Sequence, residues 1–212
     1  MDHVLPGIYH WTTHDDGEVD GRISSYYVEQ AGALIDPGVP DEGLEAFAGL
    51  AQPQQAILTN HRHLRRSDAF REAFDCVVRA AAKGLKENLP GADVRAFEFG
   101  DEVAPGVFAI EIGVFRADET ALHITYDEGA MAFGDALVRP GGGSLAYPSD
   151  DDLGAHPLRK RKGLKEAFRG LLLRDFDALL FAHGEPLANH GKRALREFVE
   201  VPVEYPEYGP FA

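Results

Sequence analysis

Short apolar runs punctuated by turn residues dominate the first part of the chain. In GIYHWTT, ISSYYVEQ and ALIDPGV (residues 7–13, 23–30 and 33–39), β-branched and aromatic residues sit between Gly, Asp and Pro, the pattern of short strands joined by tight turns. Asp41 then begins DEGLEAFAGL, where Leu44, Phe47 and Leu50 share one helical face behind an acidic first turn, and a helix is predicted there. QAILTN reads as a buried strand, and Ser67 to Phe74 as a short helix. Strand patterning returns in VRAFEFGD, GVFAIEI, TALHITYD and GAMAFGDALV. After a Gly-rich joint at Pro140 to Gly143, Lys162 to Arg174 has helical periodicity, ALLFAH reads as a strand, and His190 to Glu200 as a helix. The order is ββαβα, several strands, then αβα. It predicts two sheets with helices outside both, a four-layer αββα sandwich of the mixed α/β class.

Length and composition narrow the picture further. At 212 residues the chain suits one domain, 1–212, with a sizeable core. No apolar run approaches the length that spans a bilayer, so no membrane partner is expected. Thirty-five acidic residues against 21 basic ones give a net charge of -14, which repels a phosphate backbone and argues against a nucleic-acid partner. The basic cluster of Arg159, Lys160, Arg161, Lys162 and Lys165 runs into GLKEAFRGLLL and reads as the solvated entrance of a helix. The first residues, MDHVLPGIYH, show no basic leader or apolar stretch, and Cys76 is the only cysteine, so the cytoplasm is the expected compartment. Nothing in the sequence reads out an oligomeric state.

Candidate chemistry gathers at strand ends. His61 and His63 follow QAILTN, Asp135 lies within AFGDAL, His183 closes ALLFAH, and Asp36 closes ALID. In a sandwich, strand ends of both sheets that meet at one edge form a cleft, so His61, Asp135 and His183 are expected to converge within about 10 Å.

The ordered blocks SSYYVEQAGALIDPG, ILTNHRH, ETALHI with MAFGDALV, and LLFAHGEP resemble the metallo-β-lactamase superfamily over roughly residues 4 to 200. That resemblance implies an αββα fold and a cleft for one or two metal ions used in hydrolysis. His61 and His63 match the two histidines of the family's His-x-His-x-Asp-His motif, Asp135 matches its metal-bridging aspartate, and His183 its last histidine. Asp36 matches an aspartate that supports the site from behind the ligands; a role in the turn with Gly38 explains it as well. Arg65 and Arg66 replace the Asp-His pair of the motif, and in GVFRADET Phe115 falls near the place of a third histidine.

A guanidinium has five N–H donors, no acceptor and a permanent charge, so neither arginine can bind a cation. A dinuclear centre is therefore not expected. His61, His63, Asp135 and His183 remain as ligands for one ion at most, zinc, iron or manganese, with Asp135 and His183 as the catalytic pair. The resemblance implies a small ester, thioester or lactone as substrate, with Arg65 or Arg66 binding a substrate carboxylate. The alternative is a metal-free, non-catalytic relative that binds a small anion or a protein partner in the former cleft. Here Arg65 or Arg66 would stand about 3 Å from Asp135, in the ion's place, or from an anion bound in the cleft.

Other polar residues receive plainer expectations. His10, His14 and His123 are expected at strand edges or half-buried, Asp68 as a helix cap, Asp118 and Glu119 in solvent, and Cys76 as a small buried apolar residue.

Overall fold

The computed structural model describes residues 1–14 and 22–203. Its first sheet has seven strands in sequential order: β1 (Asp2–Leu5), β2 (Ile8–His14), β3 (Arg22–Val28), β4 (Ala33–Ile35), β5 (Gln55–Ile57), β6 (Val77–Ala81) and β7 (Arg95–Phe97). β1 to β4 are antiparallel, and β4 to β7 are parallel. The second sheet holds β8 (Glu102–Ala104), β9 (Val107–Glu111), β10 (Thr120–Ile124), β11 (Ala130–Phe133) and β12 (Ala178–Phe181). Its order is β12-β11-β10-β9-β8, and only β11 and β12 pair in parallel. The helices are α1 (Ser67–Phe74), α2 (Leu85–Asn88), α3 (Asp150–Leu153), α4 (Pro157–Leu171) and α5 (Gly191–Glu200).

Alternation along the central strands accounts for the layering. Ala130 and Ala132 of β11 and Ala178 and Leu180 of β12 join Ile35 and Ile57 of the first sheet in one core between the sheets. Met131, Phe133, Leu179 and Phe181, the residues in between, point outward onto Leu164 and Phe168 of α4 and Leu195 of α5. On the far side, Tyr27, Leu34, Ala56 and Val78 meet Phe47, together with Phe70 of α1. Strands covered on both faces read as continuous apolar runs, and this is why ALLF shows no polar alternation.

The order of elements agrees with the sequence reading, with three corrections. β1, β6 and β8 are additional strands and α2 and α3 additional helices, each no longer than five residues. Asp41 to Leu50 forms only a single 3-10 turn, Leu44–Phe47, rather than a helix. Gly43 enters that turn at φ 74°, and Ala48 leaves it extended, so the helical ladder has no room to propagate; Phe47 is buried all the same. α4 starts at Pro157 rather than Lys162, with Pro at its first turn, where a missing N–H costs nothing. Arg159 to Lys162 thus belong to the helix itself, and Arg161 pairs with Asp150 at 2.6 Å.

The parallel pairs position the centre. β4 pairs with β5 so that Ile35 faces Ile57, and β11 pairs with β12 so that Phe133 faces Phe181. The segments that follow all leave from one edge. The Tyr26 hydroxyl donates to the Phe181 carbonyl at 2.9 Å and accepts from the Phe181 amide at 3.0 Å, which locks the two sheets together beside that edge.

Candidate metal centre

Asp135 lies at the middle of the centre. Its Oδ1 accepts from His63 Nε2 at 3.0 Å and from His183 Nε2 at 2.9 Å. Donor atoms of His63, Asp135 and His183 all lie within 4.8 Å of one another, close enough to hold a single ion. Oδ2 faces other groups: Arg116 Nη2 at 3.1 Å and Asn60 Nδ2 at 3.3 Å.

Behind His63 stands Asp36, buried at the end of β4 with φ 47°. Asp36 Oδ2 accepts from His63 Nδ1 at 2.9 Å and from the Thr59 hydroxyl at 2.6 Å, and Oδ1 accepts from the Thr59 amide at 2.8 Å. Burial alone would raise the Asp36 pKa, but the His63 charge and hydrogen bond, helped by Arg65 and Thr59, carry it below its ordinary value. Burial likewise would depress His63; the carboxylates of Asp36 and Asp135 on either side overcome that and lift it to about 9, against the opposing charge of Arg65. Asp135 is buried too, and the His63 charge with the hydrogen bonds from His183 and His63 holds it well below the usual carboxylate range.

Glu119 has no solvent exposure and sits directly behind this group. Its Oε1 accepts from the Ala136 amide at 3.0 Å, and its Oε2 from Asn60 Nδ2 at 3.2 Å. Burial, reinforced by the nearby Asp135 charge, raises its pKa to about 8, which favours the protonated form at neutral pH. Gly134 makes room for this arrangement: a Cβ there would lie 2.5 Å from Thr59 Oγ1 and 2.8 Å from Glu119 Oε1.

The structure brings together His63, Asp135 and His183, with Asp36 behind them; His61 is not among the donors that lie within 4.8 Å of one another. His61 Nδ1 lies 2.8 Å from Asp118 Oδ2, which also accepts the His61 amide at 2.7 Å. The reason is local. His61–Leu64 is a 3-10 turn, in which successive side chains are about 120° apart, so residues two apart do not share a face as they would on a strand.

The two arginines also take other positions. Arg65 Nη1 donates to the carbonyls of Ser24 and Asp36, each at 2.8 Å, and so ties β3 to β4. Arg66 points outward, 64% exposed, with Asp68 at 3.6 Å. The guanidinium beside Asp135 belongs to Arg116, over the Phe115 ring at 4.1 Å from its centroid.

Asp118 and Glu119 are buried rather than in solvent, because the Thr120 amide bonds the Thr59 carbonyl at 2.8 Å and pulls the loop against the end of β5. His10 and His123 are buried, on Ser24 Oγ and the Asp175 carbonyl respectively, while His14 is exposed. Asp68 lies in the first turn of α1 without capping it, and Cys76 is buried. Sequence reading missed Arg116, Asn60, Thr59 and the role of Glu119. One available signal was Gly134 beside Asp135, a glycine at the end of a buried strand that invites a close approach.

No protein-family model and no curated protein matches the chain. Solved structures do. A metallo-β-lactamase family protein from Thermus thermophilus is 17% identical, with a TM-score of 0.63 over 93% of this chain and 80% of that one. A metallo-β-lactamase superfamily protein from the archaeon Sulfolobus tokodaii is 14% identical, with a TM-score of 0.61 over 92% and 85%. A variant of the flavo di-iron protein from Thermotoga maritima is 19% identical, with a TM-score of 0.61 over 91% of this chain and 59% of that one. The αββα layering is that of the metallo-β-lactamase fold, and the chain has that fold.

Proposed function

We propose that the chain is a hydrolase-like protein of the metallo-β-lactamase fold whose degenerate centre takes at most one metal ion, on His63, Asp135 and His183. Two imidazole nitrogens and a carboxylate within reach of one another carry this reading. The set suits zinc, iron or manganese alike. The fit extends behind the ligands: Asp36 and Thr59 hold Nδ1 of His63, which fixes the ring with Nε2 toward Asp135, as a metal-binding histidine requires. Such an ion, when bound, polarises a carbonyl and activates water.

The chain's own residues define what it would act on. A cavity of about 540 Å³ opens at the centre and is lined by Asp135, His183, Arg22, Arg62 and Arg116 together with Asp152 and Glu185. Its size suits a small molecule, and Arg22 and Arg62, the guanidinium groups of the lining that are not paired with Asp135, offer a contact for a negative charge, as on a small ester, thioester or lactone bearing a carboxylate. Arg22 and Arg62 thereby take the anion-binding role expected of Arg65 and Arg66. No nucleic-acid partner is proposed for a chain of net charge -14, and no helix among the described residues is long and apolar enough to cross a membrane. The lone Cys76 fits a reducing, cytoplasmic setting.

The Arg116 pairing favours a second reading, a metal-free protein that binds a small anion in the cleft. Elemental analysis of protein purified without added metal separates the two, followed by titration of the stripped protein with zinc, iron(II) and manganese and by assay on thioesters and lactones. One bound ion per chain with chelator-sensitive hydrolysis is expected. Absence of binding for all three ions, with no hydrolysis of any substrate tried, would leave only the anion-binding reading.

A further inference from the structure

We infer that Arg116 is a built-in counter-cation for Asp135, standing where a second metal ion would sit and opposing the binding of the first. This rests on the one-ion reading of His63, Asp135 and His183. The two oxygens of Asp135 carry the inference. Oδ1 belongs to the imidazoles, at 3.0 and 2.9 Å, and is the oxygen that a single ion would use. Oδ2, the oxygen left for a second ion, is paired with the Arg116 guanidinium at 3.1 Å and accepts from Asn60 at 3.3 Å.

Three features show that the guanidinium is held there rather than resting there. Its side chain is only 17% exposed, and it lies on the Phe115 ring 4.1 Å from the centroid. Its Nε is buried without a hydrogen-bond acceptor, an arrangement that persists only where the charge partner offsets the cost. The loop itself is pressed against α4, where a Cβ on Gly163 would meet Val114 Cγ1 at 2.7 Å. A guanidinium keeps its charge at every usual pH, so it neutralises Asp135 permanently, where an ion would do so only when loaded. It also repels a divalent ion arriving at Oδ1, a few ångströms away.

The test compares the wild type with Arg116→Gln, which removes the charge, and Arg116→Lys, which keeps it. In chelator, the Gln variant is expected to melt at least 5 °C lower than the wild type, and the Lys variant to recover at least half of that loss. In zinc titrations of stripped protein, the Gln variant is expected to bind the ion at least tenfold more tightly than the wild type and to regain thermal stability on loading. A Gln variant that melts with the wild type in chelator overturns the inference, as does one that binds zinc no more tightly. If no form of the protein binds zinc, the one-ion reading fails, and the inference then stands or falls on the chelator melts alone. Two zinc ions in the wild type also overturn it.

Discussion

On one side of Asp135, His183 stands just past β12, a strand buried on both faces and fixed in register with β11, and His63 is carried by the 3-10 turn that follows β5. On the other side, Arg116, Asp118 and Glu119 come from residues 112–119, a stretch of bends and turns between β9 and β10. Both sides deliver side chains to the same carboxylate, by different means. Strand register brings a residue to the edge whatever the flanking loop does. The loop reaches it through the Thr120 amide on the Thr59 carbonyl, through the His61 amide on Asp118, and through burial of Glu119 against Gly134. The strand-end half resembles a metal centre, while the loop half supplies a guanidinium and a carboxylic acid in the positions around it. Together the two halves make one polar cluster, in which Asp135 is paired with Arg116 and with the imidazoles, and three of its side chains lie close enough to hold one ion.

The largest effect comes from removing the residue that both halves share. Asp135→Ala leaves the Arg116 guanidinium without its counter-charge and His63 with Asp36 alone, in a place where the aspartate side chain is only 12% exposed. Breaking a buried pair on one side costs about 3 to 5 kcal/mol. For a chain of this size, that corresponds to a fall in Tm on the order of 10 °C, readable by circular dichroism in chelator. A variant that melts within a degree or two of the wild type would show that the two halves do not depend on each other.

Metal affinity distinguishes the halves next. His63→Ala and His183→Ala each remove a ligand, and both should weaken zinc binding by about 100-fold or more in calorimetric titration. His61→Ala removes a side chain that belongs to the loop half through Asp118 and should change affinity by less than about threefold. Equal losses in all three would mean that the 3-10 turn rearranges on loading to bring His61 inward.

The acid of the loop half gives a pH signature. Glu119 ionises near its ordinary value of 4.5 in the unfolded chain and at about 8 in the fold. Between those values the folded state holds a proton that the unfolded state has released. The stability it contributes is therefore complete below 4.5, falls as pH rises, and is gone above about 8. Its slope is at most about 1.4 kcal/mol per pH unit. Glu119→Gln keeps the shape and has no such slope. Near pH 5 the variant should be about 1 kcal/mol less stable than the wild type, since its amide cannot accept the Asn60 donor in place of Oε2. By pH 8 it should be the more stable of the two. Urea melts across that range in chelator provide the check, and parallel curves for the two proteins would mean that Glu119 is ionised in the fold.

The halves also differ in how far they can be read from sequence. The sandwich follows from the order of buried strands, and Asp36, Asp135 and His183 were legible because each closes an apolar run whose end the register fixes. The pattern around residues 57 to 66 misled in a specific way. A His-x-His spacing implies a shared face only on a strand, and the chain turns tightly at Asn60 instead, so His61 and His63 part. The arginine that pairs with Asp135 could be expected by its chemistry, since an enclosed carboxylate needs a cation. Its position could not, because Arg116 is brought in by tertiary bonds of a loop whose residues carry no periodicity. A buried, protonated glutamate is likewise indistinguishable by composition from a solvated one.

The smallest effect is that of Arg66, and its contrast with the neighbouring Arg65 is the finest test of which residues the structure uses. Arg65 donates from one nitrogen to the carbonyls of Ser24 and Asp36, at the point where β3 and β4 diverge above the centre. Hydrogen bonds from a charged group contribute about 1.5 to 3 kcal/mol, so Arg65→Ala should lower stability by about 2 kcal/mol and loosen Asp36 behind His63. Arg66 is 64% exposed, and its partner Asp68 is 58% exposed at 3.6 Å. An ion pair in that setting contributes close to nothing, and Arg66→Ala should stay within about 0.5 kcal/mol of the wild type. Denaturant melts of the two variants side by side settle the contrast. If Arg66→Ala proved the costlier change, or Arg65→Ala were silent, the guanidinium assigned to the strand junction would have to be reassigned, and with it the support drawn from Asp36 for His63.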